Sequence, residues 1–138
     1  MAPVAAQLAA GLAPEATGPV TSPQALKKTA FAAVKIDRLQ SKITGEITGK
    51  DHFGNLQTNI EAEILNSLSA HEKSRTRVTV KGKTIVGIEG AYADKAPGDL
   101  LALLGSRGFL EITVREGNAA AYLNAGTGDG VTVAMPKK

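Results

Sequence analysis

From residue 31 onward, short hydrophobic stretches alternate with polar positions, and turn-forming residues separate these stretches. Many of the apolar positions are β-branched, which is typical of strands with one buried face. The pattern predicts seven strands, at 31–37, 42–49, 57–61, 76–81, 84–90, 110–115 and 131–134. A tight hairpin turn is predicted at Lys81-Gly82-Lys83, because glycine tolerates the positive φ angles that such turns require. Short strands at this spacing, without long helical crossovers, predict mostly antiparallel pairing.

Four other segments of the β region have a different pattern. Residues 61–70 predict a short helical turn, and 118–123 predict one Ala-rich turn capped by Asn118. The run at 100–104 is apolar throughout, so it fits either a strand or a buried turn. The glycine-rich stretch at 126–130 predicts a turn that leads into the last strand.

The first part of the chain lacks the alternation of the β region. Residues 3–10 predict a short helix that starts with a proline and stops at Gly11. Three prolines within 11–24 indicate a linker. We therefore predict an N-terminal helix and linker at 1–28 and a β domain at 29–138. The expected fold class is mostly β: a small, closed, Greek-key-like antiparallel β-barrel behind that short helix and linker.

Composition narrows the range of functions. The chain has 138 residues, enough to bury a core in one domain. The absence of cysteine excludes disulfides, thiolate metal ligands and a cysteine nucleophile, and it is compatible with a cytoplasmic location. Neither a metal-ligand spacing nor a nucleophile with its base is visible, so we predict no metal site and no catalytic residue. No apolar run is long enough to cross a bilayer, which disfavours a membrane partner.

A slightly basic net charge leaves one alternative function open. The formal charge is +3, and a small β-barrel is a common scaffold for single-stranded nucleic acid. Such surfaces usually add aromatic side chains that stack on bases, whereas this chain has three Phe, two Tyr and no Trp. Nucleic acid is therefore disfavoured, and the alternative is a stand-alone barrel that binds single-stranded nucleic acid or a protein partner.

Three polar segments are candidates for a small-molecule site. The turn at 51–55 (DHFGN) combines a carboxylate, an aromatic face and an amide, and Asn59 follows it. Two glycines flank Ser106-Arg107, whose guanidinium matches the geometry of a carboxylate. Asn118-Ala119 opens a helix of small residues, where backbone groups can meet a ligand edge. Taken singly, each segment is better explained as an ordinary turn or a capped helix.

Taken together, the segments resemble the S-adenosylmethionine hydroxide adenosyltransferases, the adenosine-forming S-adenosylmethionine hydrolases related to the fluorinase and chlorinase. The matching stretches run in order along the chain: 2–19 (APVAAQLAAGLAPEATGP), 51–60 (DHFGNLQTNI), the segment around Tyr92, 105–120 (GSRGFLEITVREGNAA) and 128–133 (GDGVTV). The resemblance implies a larger N-terminal domain that positions the attacking water or halide, and a C-terminal antiparallel barrel that holds much of the ligand.

The resemblance also implies roles for individual residues. Asp51 would meet the methionine ammonium group of the ligand. Phe53 and Asn55 would face its adenosine, and Tyr92 would lie beside the adenine.

The other implied contacts come from the second half of the motif set. Ser106 and Arg107 would hold the methionine carboxylate. Asn118 and Ala119 would offer backbone groups to the adenine edge. Gln57 stands where the halogenating members carry an aromatic residue, which favours the hydrolase side of the family.

The function implied is that of the adenosyl- and methionine-binding barrel of an enzyme that hydrolyses S-adenosylmethionine to adenosine and methionine. S-adenosylmethionine would be the substrate, and no cofactor is implied. The family forms homotrimers, with each site between the N-terminal domain of one subunit and the barrel of the next. We therefore expect this chain to be a fragment that lacks the nucleophile-positioning domain and is inactive by itself.

Overall fold

The computed structural model describes residues 2–26, 30–68, 73–90 and 95–135. The chain divides into two compact units, residues 1–30 and 31–138. In the first unit, the predicted short helix is present as α1 (Ala2–Ala9), and it is exposed along its whole length. Single 3-10 turns follow at Pro14–Thr17 and Pro23–Ala25, each starting with the proline that disfavours a continued α-helix.

The second unit contains the β structure, and the mostly-β prediction is confirmed. Its elements are β1 (Lys35–Asp37), β2 (Lys42–Lys50), β3 (Leu56–Glu61), α2 (Ala62–Leu68), β4 (Arg77–Val80), β5 (Lys83–Val86), β6 (Leu100–Leu104), β7 (Phe109–Val114), α3 (Ala119–Leu123) and β8 (Gly130–Ala134). Within the described ranges, no helix is both long and apolar enough to cross a membrane.

The strands form an antiparallel sheet that curls into a nearly closed barrel. Their order is β5-β4-β8-β2-β3-β7-β6, and β1 pairs with β2 beside this path. Among the residues that the structure describes, the two ends of the order meet at one parallel bridge, between Glu89, which follows β5, and Leu103 of β6. There the Glu89 N–H donates to the Ala102 carbonyl at 2.8 Å. The predicted antiparallel barrel is thus present, and within the described residues one bridge rather than a full ladder closes it, from the segment after β5 to β6.

Alternation along β3 and β7 separates the core from the outer face of the barrel. On β7, Leu110 and Ile112 are fully buried, while Glu111 between them is only half-buried. On β3, Gln57 is likewise half-buried between two buried neighbours. Because successive side chains of a strand point to opposite faces, Gln57 and Glu111 lie on the outer face of this strand pair. Gln57 is also directly opposite Glu111 in the β3–β7 register.

Three predicted strands are shorter than the sequence pattern indicated, and the one predicted at 76–81 loses one residue at each end as β4. Residues 31–34 have no regular structure, because side chains rather than a strand ladder satisfy the backbone groups of Ala32. The strand predicted at 84–90 ends at Val86, since Gly87 has a φ of 91° that breaks the extended conformation. The apolar run at 100–104, which fitted a strand or a buried turn, is strand β6.

Candidate ligand-binding site

The turn between β2 and β3 is organised by the carboxylate of Asp51. One carboxylate oxygen accepts hydrogen bonds from the backbone N–H groups of Phe53 and Asn55, both at 2.9 Å. The other oxygen accepts from the Asn55 side-chain amide at 2.8 Å. The backbone closes the same turn, since the Asp51 N–H donates to the Asn55 carbonyl at 3.0 Å. The turn is therefore an Asx-type structure whose shape depends on an ionised Asp51.

The pKa of Asp51 reflects two opposing effects. Partial burial raises it, whereas the hydrogen bonds from the Asn55 side chain and from the backbone N–H groups of Asn55 and Phe53 lower it. The hydrogen bonds prevail, so the pKa of Asp51 lies below its ordinary value of 3.8. The carboxylate is consequently ionised throughout the physiological range.

Asp51 is expected to make the stability of the barrel depend on acidic pH. Because its folded pKa is depressed, its contribution is complete above the ordinary value of 3.8 and is lost as the pH falls through the folded pKa. Urea unfolding of the unsubstituted chain and of Asp51→Asn, from pH 2 to pH 7, measures the difference. The Asp129 carboxyl, whose pKa is also lowered by Lys81 and the Gly126 N–H, titrates in both proteins, so the difference isolates Asp51. A difference in unfolding free energy that stays constant with pH contradicts the assignment.

The Asn55 side chain is held at both ends of its amide. Its nitrogen donates to Asp51, and its oxygen accepts a hydrogen bond from the Thr113 hydroxyl on β7. Thr113 is 1% exposed, so this hydroxyl depends on Asn55 for an acceptor away from water. The amide orientation follows from these two partners, and the turn is thereby attached to β7.

Gly54 attaches the turn to the start of α3. Its carbonyl accepts from the Ala120 N–H at 3.0 Å, and its φ is 90°. A Cβ atom at this position would overlap the side chain of Asn118. Asn118 caps α3 as predicted, since its side-chain oxygen accepts from the Ala121 N–H at 2.8 Å. The structure therefore brings together two of the three polar segments that the sequence singled out.

An open cavity of about 550 Å³ lies at this junction. It is lined by Phe53, Asn55, Thr113, Val114, Glu116, Gly117 and Asn118. Phe53 is 64% exposed, and its ring rests against that of His52 at a centroid distance of 3.7 Å. An exposed aromatic face beside a fixed amide is suited to a planar heterocycle. Ala119, the other predicted contact of this segment, is fully buried.

The third predicted segment forms the turn between β6 and β7. The Gly105 N–H donates to the Phe109 carbonyl, and the Gly108 N–H donates to the Gly105 carbonyl, both at 2.9 Å. These bonds leave Ser106 and Arg107 exposed at the tip. The Arg107 guanidinium reaches across to β3 and donates to the side-chain oxygen of Gln57. Gln57 thus orients the Arg107 guanidinium, which is predicted from the sequence to bind a carboxylate.

A second cavity, of about 240 Å³, lies beside Arg107. Its lining residues are Phe31, Thr48, Gln57, Thr58, Asn59, Arg107, Phe109 and Glu111. It combines one cation, one carboxylate and two aromatic rings. Of the predicted site residues that the structure describes, Arg107 alone lines it; Asp51 and Asn55 belong to the other end of β7.

Strand β7 connects the two cavities. Leu56, directly after the 51–55 turn, is opposite Ile112, whereas Arg107 precedes the first residue of β7. Four residue steps, from Phe109 to Thr113, span about 13 Å of extended strand. Of the β7 residues that line the cavities, Phe109, Glu111 and Thr113 are at odd-numbered positions, which share the outer face of the strand, and Val114 is the exception. The predicted residues therefore form two groups along one face rather than a single cluster.

The residues predicted for the site and the residues that line the two cavities do not fully coincide. Tyr92, predicted beside the adenine, lies outside the described residues. Phe31, Glu111 and Thr113 were missed as site residues, although the alternation of β7 signals an outward position for the latter two. Asn59, a candidate reader of a heterocycle, uses its amide in bonds to other elements of the barrel. Among the residues the structure describes, no group of three potential metal ligands occurs.

Comparison with known proteins agrees with this architecture. The (R)-S-adenosyl-L-methionine hydrolases of Salinispora tropica and Salinispora arenicola are 31% and 33% identical to the chain, and each match covers 96% of the chain and 47% of the relative. The chain thus spans about half the length of the curated relatives it matches.

Solved structures of about twice this length also contain a region similar to the chain. An uncharacterized conserved protein from Thermotoga maritima matches with a TM-score of 0.70 and 32% identity, over 97% of this chain and 50% of that one. A conserved hypothetical protein from Thermus thermophilus matches with a TM-score of 0.59 and 30% identity, over 96% and 49%. Residues 45–132 match the family model of the SAM hydroxide adenosyltransferase C-terminal domain. Because this match covers more than half of the chain, the chain belongs to the SAM hydroxide adenosyltransferase C-terminal domain family.

Proposed function

We propose that this chain is the ligand-binding barrel of an enzyme that cleaves S-adenosylmethionine into adenosine and methionine. The observation that carries the proposal is the arrangement along β7. A cavity with an aromatic face and a fixed amide lies at one end of the strand, and a cavity with a guanidinium lies at the other. An extended ligand with a nucleoside at one end and an amino-acid carboxylate at the other matches the positions of these two cavities along β7.

The nucleoside end is assigned to the cavity beside the 51–55 turn. Phe53 offers an exposed face for stacking on adenine, which is a planar heterocycle. The Asn55 amide is oriented by Asp51 and Thr113, so further bonds to the ligand need little reordering of its side chain. The Asp51 carboxylate accepts hydrogen bonds from Phe53 and Asn55 within the turn and so holds the Asn55 amide in place.

The carboxylate end is assigned to Arg107 and its neighbour Ser106. A guanidinium presents parallel N–H donors that match a carboxylate, and Gln57 holds this guanidinium toward the outer face of β3. Both Arg107 and Ser106 are exposed, so a ligand can reach them from solvent.

The barrel is proposed to bind rather than to catalyse. Attack at the ribose carbon expels a neutral thioether, so the rate depends mainly on aligning the nucleophile, the carbon and the sulfur. The residues assigned above hold the ligand and leave the alignment of water to groups outside this barrel. Assembly as a homotrimer, implied by the family resemblance, is part of the proposal.

Arg107→Ala is expected to weaken binding of S-adenosylmethionine by about 10- to 100-fold. A hydrogen bond to a charged group contributes about 1.5–3 kcal/mol, and each 1.4 kcal/mol changes affinity about tenfold. Binding of adenosine, which lacks the carboxylate, should be unchanged by the same substitution. Isothermal titration of both ligands measures the two effects, with Arg38→Ala as the control because Arg38 is exposed in the turn after β1.

Three results would count against the proposal. One is a titration in which the unsubstituted chain binds neither ligand. Another is an equal loss of adenosine and S-adenosylmethionine affinity in Arg107→Ala. Release of adenosine by the chain alone would contradict its assignment as a binding barrel without turnover.

A further inference from the structure

We propose that Phe31 is a further ligand-contact residue, which recognises the positive charge of a sulfonium group next to the carboxylate held by Arg107. The inference rests on the proposed function and adds a specificity residue to it. Phe31 precedes the first strand, and the sequence pattern treats it as part of that strand. In the structure it instead lines the cavity of Arg107 and Phe109.

A ring of three hydrogen bonds holds the backbone next to Phe31. The Ala32 N–H donates to a Glu46 carboxylate oxygen at 2.7 Å, and the Ala32 carbonyl accepts from the Asn59 side-chain nitrogen at 2.7 Å. The ring is completed by the Asn59 side-chain oxygen, which accepts from the Glu46 N–H at 2.9 Å. We call this ring, formed by Ala32, Glu46 and Asn59, the clamp. Both backbone groups of Ala32 are thus satisfied by side chains of β2 and β3.

The neighbouring backbone is shaped around the clamp. A Cβ atom on Gly45 would lie 2.5 Å from the Asn59 side-chain oxygen and 2.5 Å from a side-chain carbon of Ile60. Glycine at this position therefore gives the Asn59 amide the space it needs to reach both Ala32 and Glu46. Because the clamp fixes the residue that follows Phe31, the phenyl ring of Phe31 is held close to the cavity.

Phe31 itself is 41% exposed, so burial in the core does not account for its place. Its ring and that of Phe109 share a cavity with the Arg107 guanidinium. In S-adenosylmethionine three carbon atoms separate the carboxylate carbon from the sulfonium sulfur. A ligand whose carboxylate is bound by Arg107 therefore places its sulfonium within reach of the rings. Aromatic faces attract cations through their quadrupole, whereas a neutral thioether lacks this attraction.

Phe31→Leu is expected to weaken S-adenosylmethionine by about two- to thirty-fold more than it weakens S-adenosylhomocysteine, the range typical of a cation–aromatic contact. These two ligands share the adenosyl group and the carboxylate and differ in the S-methyl group and the positive charge that it places on sulfur. Isothermal titration of both ligands against the full chain gives the ratio. Tyr122→Leu serves as the control, because Tyr122 is a 55% exposed aromatic that lies outside both cavities.

The role of the clamp is measured by a second variant. Asn59→Leu preserves the approximate volume and removes both amide bonds of the clamp. We expect faster hydrogen exchange at the Ala32 amide and a lowered ratio of S-adenosylmethionine affinity to S-adenosylhomocysteine affinity. Adding Phe31→Leu to this variant should lower that ratio little further. Unchanged exchange at Ala32 would overturn the clamp.

The outcomes separate this inference from the proposed function. If the unsubstituted chain binds both ligands and Arg107→Ala weakens both, but Phe31→Leu leaves their ratio as in Tyr122→Leu, the role of Phe31 is wrong and the proposed function stands. If the unsubstituted chain binds neither ligand, the proposed function is wrong, and the ligand role of Phe31 falls with it. A ratio lowered in both Phe31→Leu and Asn59→Leu, but not in the control, supports the inference.

Discussion

Gly54→Ala is expected to lower the free energy of unfolding by about 2–3 kcal/mol and to remove binding at the adenosyl cavity. Two physical effects add. An alanine at a φ of 90° carries about 1–2 kcal/mol of backbone strain, because its Cβ crowds the neighbouring carbonyl. The new methyl group also overlaps the Asn118 side chain, which must leave its position and give up the helix cap, at a cost of about 1 kcal/mol.

Gly128→Ala provides a matched control for this substitution. Gly128 has nearly the same φ, 91°, but a Cβ atom there would meet nothing within 4 Å. It should therefore show the backbone strain without the loss of the cap and without an effect on ligand binding. Urea unfolding and adenosine titration of both variants make the comparison. Equal destabilisation of the two variants, with adenosine binding intact in Gly54→Ala, would show that the contact of Gly54 with Asn118 does not shape the cavity.

Asn55→Asp is the second substitution with a large expected effect, about 2–4 kcal/mol of destabilisation at neutral pH. The new carboxylate oxygen would replace a nitrogen that lies 2.8 Å from the Asp51 carboxylate, and two like charges at that distance repel strongly even after screening. The oxygen that accepts from Thr113 is retained, so the change is mainly one of charge and of a lost donor.

The pH dependence identifies this repulsion. In Asn55→Asp the paired carboxyls share a proton, so their pKa in the folded state is raised. The repulsion is therefore absent well below the ordinary Asp pKa of about 3.9, where the added carboxyl is protonated in both states, and grows as the pH rises to the raised folded pKa. Asn66→Asp adds the same charge at an exposed position of α2 and is the control. A free-energy difference between the two variants that does not change from pH 3 to pH 8 would contradict the contact.

Local sequence patterns were sufficient to predict the strands, one hairpin turn and one helix cap. Alternating apolar residues identify the strands because burial on one face needs only a period of two. The Lys81-Gly82 turn is recognisable because a two-residue hairpin needs positive φ angles, and these are 47° and 75°. The Asn118 cap follows from a side-chain oxygen reaching its own helix. Each of these features depends on residues within a few positions of one another.

The residues whose roles the sequence did not reveal depend on contacts between distant positions. Asn59 resembles a ligand-reading amide in the sequence, yet its partner Ala32 lies 27 residues away. Phe31 resembles the first residue of a strand, and it becomes part of a cavity because Glu46 and Asn59 hold the next residue. No local period signals such a bond, because side-chain clamps impose no spacing rule on the chain that they hold.

The sequence by itself determined the mostly-β class, the strand periodicity, the helix cap and, through the order of its motifs, the family. Only the tertiary structure decided how the motifs are arranged: the 51–55 turn against α3, and Arg107 against Gln57, which is 50 residues away. The physical reason is that strand register brings distant residues together on one face of the barrel. The turn at 51–55 and Arg107 consequently lie at opposite ends of β7, a separation that the sequence does not express.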